Sequence, residues 1–206
     1  MPFASTGDFL ARTGFSAAER RALAGAGALN ALAGHRRAAL WKVEAVQDGD
    51  DLFRRAVAED AGEEAPLARM TPVERVQADY ANLALTAGPH PMRLLRARLP
   101  GVLTAAGLQA AGNGERVSIA GSVTCRQRPA TAKGFCFITL EDETGSANAI
   151  VRPGLFEKAR LIINLEPALL ITGRVQNEQG VIHVMAAEVA ALPEPDLPAQ
   201  ASHDFR

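Results

Sequence analysis

The sequence predicts an α+β chain, helical over about its first half and built of strands over its second. Three observations carry that prediction. Up to about residue 110, apolar residues recur at helical spacing between capping signals. From Glu115 the period changes to the alternation of half-buried strands. Five alternating runs then follow, with a short helical run between the third and the fourth.

The helical half begins with an alanine-rich region over 1–47. Ser16 followed by Glu19 has capping-box spacing ahead of Leu23. Gly25 and Gly27 in the run from Ala24 to Leu29 interrupt the helix with a tight turn. A further helix is expected from about Arg36 through Trp41 to Val46. Residues 48–70 form an acidic linker, and over 48–66 seven acids stand against two arginines. Little of that stretch suits burial, so a solvated connection is expected, with one helical turn near Leu52–Val57. Residues 71–110 form a helical connector. Thr71 with Glu74 is a second capping box, for a helix to about Leu85, and Gly88-Pro89-His90-Pro91 ends it before a helix over about Met92–Leu99.

The strand runs are Arg116–Arg126, Gly134–Glu141, Ala147–Arg152, Ala168–Gln176 and Val181–Ala190. Gly145 marks the turn between the second and third, and Asn177–Gly180 a hairpin turn between the fourth and fifth. Pro153 to Pro167 reads as a short helix beginning near Leu155. Three strands, a helix and two strands is the order of the OB-fold, a five-stranded β-barrel, here over 115–191. The tail, 192–206, is Pro-rich and expected to be loose.

Composition narrows the chemistry. The chain has 206 residues and a formal net charge of −1, so any attraction for nucleic acid has to come from a local patch. Cys125 and Cys136 make neither a disulfide framework nor a zinc set, and the four histidines lack metal spacing. Two lone thiols and the lack of a spanning run or a signal-peptide pattern lead us to expect a cytoplasmic protein with no membrane partner.

The stretch from Thr124 to Thr144 holds the richest candidate site. Arg126, Arg128 and Lys133 stand without an acid in the connection between the first two strands, where OB-folds contact nucleic acid. With these three included, eight basic residues balance eight acidic ones over 115–191, so clustering is the whole electrostatic case. Alternation puts Cys136, Ile138 and Leu140 on one face of the second strand and Phe135 and Phe137 on the other, as base-stacking platforms. The alternative is a bulge that returns one phenylalanine to the core. In the helical half, backbone N–H groups at Gly25 and Gly27 could hold a phosphate oxygen, with Arg36 and Arg37 adding charge. Glu141, Asp142 and Glu143 lack a partner acid or a histidine motif. Asp142 is expected to cap the turn before Gly145, and no catalytic or metal residue is assigned.

Several phrases resemble the C-terminal region of bacterial error-prone DNA polymerases of the C family, relatives of the DNA polymerase III alpha subunit. They are ARTGFS (11–16), LAGAGAL (23–29), HRRAALWKV (35–43), DYANLALTAGPHPM (79–92), RQRPATAKGF (126–135), LEDETGSANAIV (140–151), LFEKAR (155–160) and SHDFR (202–206). The resemblance implies that 1–47 belongs to a helix-hairpin-helix region gripping duplex DNA and that 115–191 is an OB domain near single-stranded template. It also implies roles in DNA repair and translesion synthesis after DNA damage. The catalytic aspartates of that family's palm correspond to nothing here, so no polymerase active site is expected in this chain. Magnesium would belong to the full polymerase and no cofactor to this chain. Expected partners are single-stranded and primer–template DNA, accessory mutagenesis proteins or the missing polymerase portion. A protein-interaction module recruiting accessory mutagenesis proteins is a second expectation, and an RNA-binding OB module of the tRNA-synthetase type a third.

Overall fold

The computed structural model describes residues 2–45, 66–178, 180–192 and 203–205. The chain divides into two compact units, Met1–Gly88 and Pro89–Arg206. The boundary falls inside the segment expected as a connector, so its first helix belongs to the helical unit and the rest leads into the strands. The helical turn expected near Leu52–Val57 and most of the acidic linker lie outside the described residues.

In the first unit, α1 (Thr6–Arg12) is capped by Ser5 and α2 (Ala17–Gly25) by the Ser16–Glu19 capping box. α3 (Asn30–Ala33) is one turn, and α4 (Arg36–Glu44) starts at His35, whose Nδ1 accepts the Ala38 N–H. α5 (Pro72–Leu83) begins with the Thr71–Glu74 capping box. Each cap satisfies N–H groups that the first helical turn leaves without partners. Phe9, Ala24, Leu29, Ala39 and Val43 form the core. Ala24 and Ala39 are completely buried, and small side chains at such positions let helices approach closely.

The second unit opens with α6 (Pro91–Leu95), a 3₁₀ turn over Arg96–Arg98 and α7 (Ala105–Leu108). The strands follow as β1 (Arg116–Gln127), β2 (Cys136–Asp142), β3 (Gly145–Val151), β4 (Ala168–Glu178) and β5 (Val181–Ala191). Two short helices, α8 (Pro153–Lys158) and α9 (Arg160–Leu165), fill the crossover from β3 to β4. The sheet order is β2-β3-β5-β4-β1, and β1 also pairs with β2, which closes the barrel. All the ladders of the barrel are antiparallel except β3 with β5. This is the five-stranded OB barrel that the strand order predicts.

Closure depends on β1 serving two partners. Its residues from Arg116 to Ser122 face β4, and those from Ser122 to Gln127 face β2. At the hand-over, a Cβ on Gly121 would stand 2.6 Å from the Glu141 carbonyl oxygen, so only glycine permits the approach. Inward residues such as Val117, Ile119, Ile138, Leu140, Val151, Leu169, Ile171 and Val184 fill the interior. α7 contributes Ala105 and Leu108 at the β2–β3 turn, and Phe156 and Ile163 enter from α8 and α9 beyond the far end of β3.

The tail departs from expectation. His203–Phe205 forms a sixth strand, β6, parallel to Cys125–Gln127 of β1. Once β4 has ended its pairing at Ser122, that edge of β1 carries unpaired backbone groups, and β6 pairs with it.

Candidate nucleic-acid interface

β2 alternates without interruption. Cys136, Ile138, Leu140 and Asp142 are buried, whereas Phe137 is 37% exposed. The bulge weighed for β2 lies instead in β1, between Val123 and Cys125. The ladder registers then arrange the outer face in transverse rows. One row runs Gln127, Phe137, Ile150, Met185 and Arg174 across β1, β2, β3, β5 and β4. The next row runs Cys125, Thr139, Asn148, His183 and Gln176 over the same strands. Within it the Thr139 hydroxyl donates to Asn148 Oδ1 at 2.9 Å, and His183 Nε2 lies 3.0 Å from Gln176 Oε1.

The three cations expected to act together are separated by the structure. Arg126 is buried, with 8% exposure. Its Nε donates to the Ile163 carbonyl and its NH2 to the Glu166 carbonyl, each at 2.6 Å. The cause is the β1 bulge, which shifts the alternation by one residue and turns Arg126 to the side of Ile138. There it meets carbonyls left without partners at the end of α9, the natural place for a cation. Arg126 is therefore a strut between β1 and α9, contrary to its expected surface position.

Arg128 is exposed but committed. Its NH2 donates to Glu157 Oε1 at 3.1 Å, and the guanidinium lies 4.1 Å from the centroid of the Phe156 ring. Lys133 is exposed, with φ of +51°, and makes no hydrogen bond or ion pair to other described residues. Phe135 is half-buried just ahead of β2. Arg152, directly after β3, is exposed and likewise unpaired among the described residues. Gly134 brings the two connections together, since a Cβ there would meet Pro153 Cγ at 3.4 Å and Arg128 NH2 at 3.8 Å.

The acidic turn is structural, with Asp142 in the capping role expected of it. Its Oδ1 accepts the Thr144 N–H and hydroxyl, each at 2.7 Å. Its Oδ2 accepts the Ala105 N–H at 2.8 Å and Arg96 NH2 at 3.0 Å. Arg96 also grips Glu143 through Nε at 2.7 Å and NH2 at 3.0 Å. Burial pushes the Asp142 carboxyl up, but the Thr144 and Ala105 hydrogen bonds and the Arg96 charge hold it below the usual carboxylate range. The Arg96 hydrogen bond likewise holds Glu143 below its ordinary value. Among the described residues, no group of three or more His, Cys, Asp or Glu is arranged to hold a metal ion.

In the helical unit the predicted phosphate cradle is filled from within. A Cβ on Gly25 would stand 2.5 Å from Asn82 Oδ1, so this glycine lets α2 pack against the α5 side chain. Gly27 has φ of +83° and faces the Arg36 guanidinium, which a Cβ would meet at 2.9 Å. Arg36 is buried. It donates to the Arg75 carbonyl at 3.2 Å and the Ala26 carbonyl at 3.3 Å, and it pairs with Asp79. Burial raises the Asp79 carboxyl, while the Arg36 and Thr86 hydrogen bonds outweigh it and leave the group below its ordinary value. Arg37 bonds the Ala68 carbonyl at 3.1 Å and Glu74 Oε1 at 2.8 Å. Neither arginine stands free beside the turn.

Sequence reasoning missed Ile150, Asn148, Met185, His183 and Arg152 as members of the exposed face. Each is ordinary in its own strand and gains meaning from the register, above all from the parallel β3–β5 pairing that no local signal announces.

A family match agrees with the barrel. The family described as "OB-fold nucleic acid binding domain" matches residues 117–192. Asparaginyl-tRNA synthetase from Pyrococcus horikoshii is 23% identical, over 50% of this chain and 27% of that one, with a TM-score of 0.37. The error-prone DNA polymerase of Azoarcus sp. (strain BH72) is 44% identical over 193 residues, which is 93% of this chain and 18% of that protein. Error-prone DNA polymerase 2 of Rhizobium meliloti (strain 1021) is 38% identical over 214 residues, 98% of this chain and 20% of that protein. The chain thus spans about a fifth of the length of the curated relatives it matches. Over the stretch they share, it is homologous to the C-terminal region of the error-prone DNA polymerases, and its barrel is an OB-fold that matches the nucleic acid binding family model.

Proposed function

We propose that the outer face of β2 and β3 binds single-stranded DNA as template for an error-prone polymerase, in damage-induced mutagenesis and translesion synthesis. The observation that carries this reading is the exposed Phe137 in an apolar row with Ile150 and Met185, beside the cations Lys133 and Arg152, which are unpaired among the described residues. A flat aromatic accepts any base face, and cations at the open end of the β2–β3 ladder neutralise the phosphates of stacked bases. The chemistry suits binding without a reaction, and nucleotide transfer with its magnesium would belong to the polymerase palm of the relatives. The cytoplasm is the matching compartment, and among the described residues no helix is long and apolar enough to cross a membrane.

The test is fluorescence anisotropy of the full chain with a labelled single-stranded oligonucleotide at low salt. Binding should weaken as salt rises, and Phe137→Ala should lose about 1–3 kcal/mol per stacked base while leaving the melting temperature in place. Absence of salt-sensitive binding, or an indifferent Phe137→Ala variant, would overturn the proposal.

A further inference from the structure

Three features follow one another along the β2–β3 ladder. Lys133 and Arg152 stand at its open end, the Phe137–Ile150 pair comes next, and the Thr139–Asn148 pair lies one step further. Each step of two residues advances about 6.6 Å along a strand, so the Arg152-to-Asn148 interval is about 13 Å. One nucleotide laid along it has its phosphate on the cations, its base on Phe137, and the edge farthest from the sugar over Asn148. For a pyrimidine that edge carries the substituent at C4, which is a carbonyl in thymine and an amino group in cytosine.

Asn148 is exposed, and the Thr139 hydroxyl already donates to its Oδ1 at 2.9 Å. Among the described residues its Nδ2 group has no partner, which leaves that donor to face a ligand. A donor pairs with the thymine carbonyl and opposes the cytosine amino group. We infer that Asn148, oriented by Thr139, makes this face discriminate between bases by the substituent at that edge, favouring thymine over cytosine. This rests on the single-strand-binding reading above and adds base discrimination to it.

The test compares labelled oligo-dT and oligo-dC of about 12 nucleotides, within the span that one OB-fold covers, at fixed low salt on the full chain. Oligo-dT should bind about three- to tenfold more tightly, the equivalent of one neutral hydrogen bond. Asn148→Ala should bring the two affinities together. Asn148→Asp should weaken both by charge repulsion yet invert their order, because a carboxylate oxygen accepts from the cytosine amino group. Equal affinities in the unmodified chain, or a ratio unmoved by Asn148→Ala, would overturn the inference while leaving the binding face intact. If neither oligonucleotide binds, the face itself is not a single-strand site and both readings fall.

Discussion

The Gly25–Gly27 turn of the helical unit and the outer face of β2–β3 carry similar sequence credentials, cations beside backbone or aromatic platforms, yet the fold treats them oppositely. At the turn, Arg36 is buried against Asp79 and two carbonyls, and Gly27 packs over its guanidinium. On the barrel face, Lys133 and Arg152 extend from connections with no acceptor to claim them among the described residues. What separates the two is the supply of unsatisfied acceptors close by. A guanidinium near a helix end or a buried carboxylate is drawn into the structure, because leaving those groups unpaired costs more than losing its hydration. Arg126 shows the same rule inside the barrel domain, so the contrast lies between environments rather than between units.

The comparison can be broken most forcefully at Arg36. Arg36→Ala leaves Asp79 buried without its partner and should cost about 3–5 kcal/mol in chemical denaturation. A loss below about 1 kcal/mol would mean that Arg36 is as available to a ligand as Lys133 is. Arg126→Leu removes both carbonyl contacts, and the expected cost is about 1.5–3 kcal/mol of barrel stability, with affinity for single-stranded DNA unchanged in the folded fraction. A stable variant that loses DNA affinity would return Arg126 to the binding site.

The smallest expected effect is an acid response. The Asp142 carboxyl is held below its ordinary value in the fold, so its contribution is complete above the unfolded carboxyl range, about pH 4, and is lost as pH falls through the lowered folded value. The protection of the barrel-strand amides, taken relative to their intrinsic exchange rates, should fall as pH drops below about 4, and Asp142→Asn should flatten that dependence. An unchanged slope would show that the turn does not hold the barrel together.

Most of the barrel was legible because its signals are local. Alternation, the Gly145 turn and the Asn177–Gly180 turn each act within a few residues, and the strand order followed from them. Both capping boxes were legible for the same reason. Arg126 was not, since one extra residue in β1 reverses the facing of everything after it and leaves no compositional mark. β6 was hidden because three residues are too few for a periodic signal, and the open edge of β1 exists only in the closed barrel. Asn148 and His183 share a face only through a parallel ladder between strands more than thirty residues apart.

The knot at Asp142 bears on how this domain tolerates change in length. The β2–β3 turn is fastened by the Ala105 N–H, Arg96 and Thr144 at once, so an added residue would break bonds on two elements together. The connection from β1 to β2 carries no comparable fastening on Lys133, whose left-handed backbone already belongs to an exposed loop. Insertions that reshape ligand reach should therefore survive between Pro129 and Lys133, and their counterparts between Asp142 and Gly145 should not.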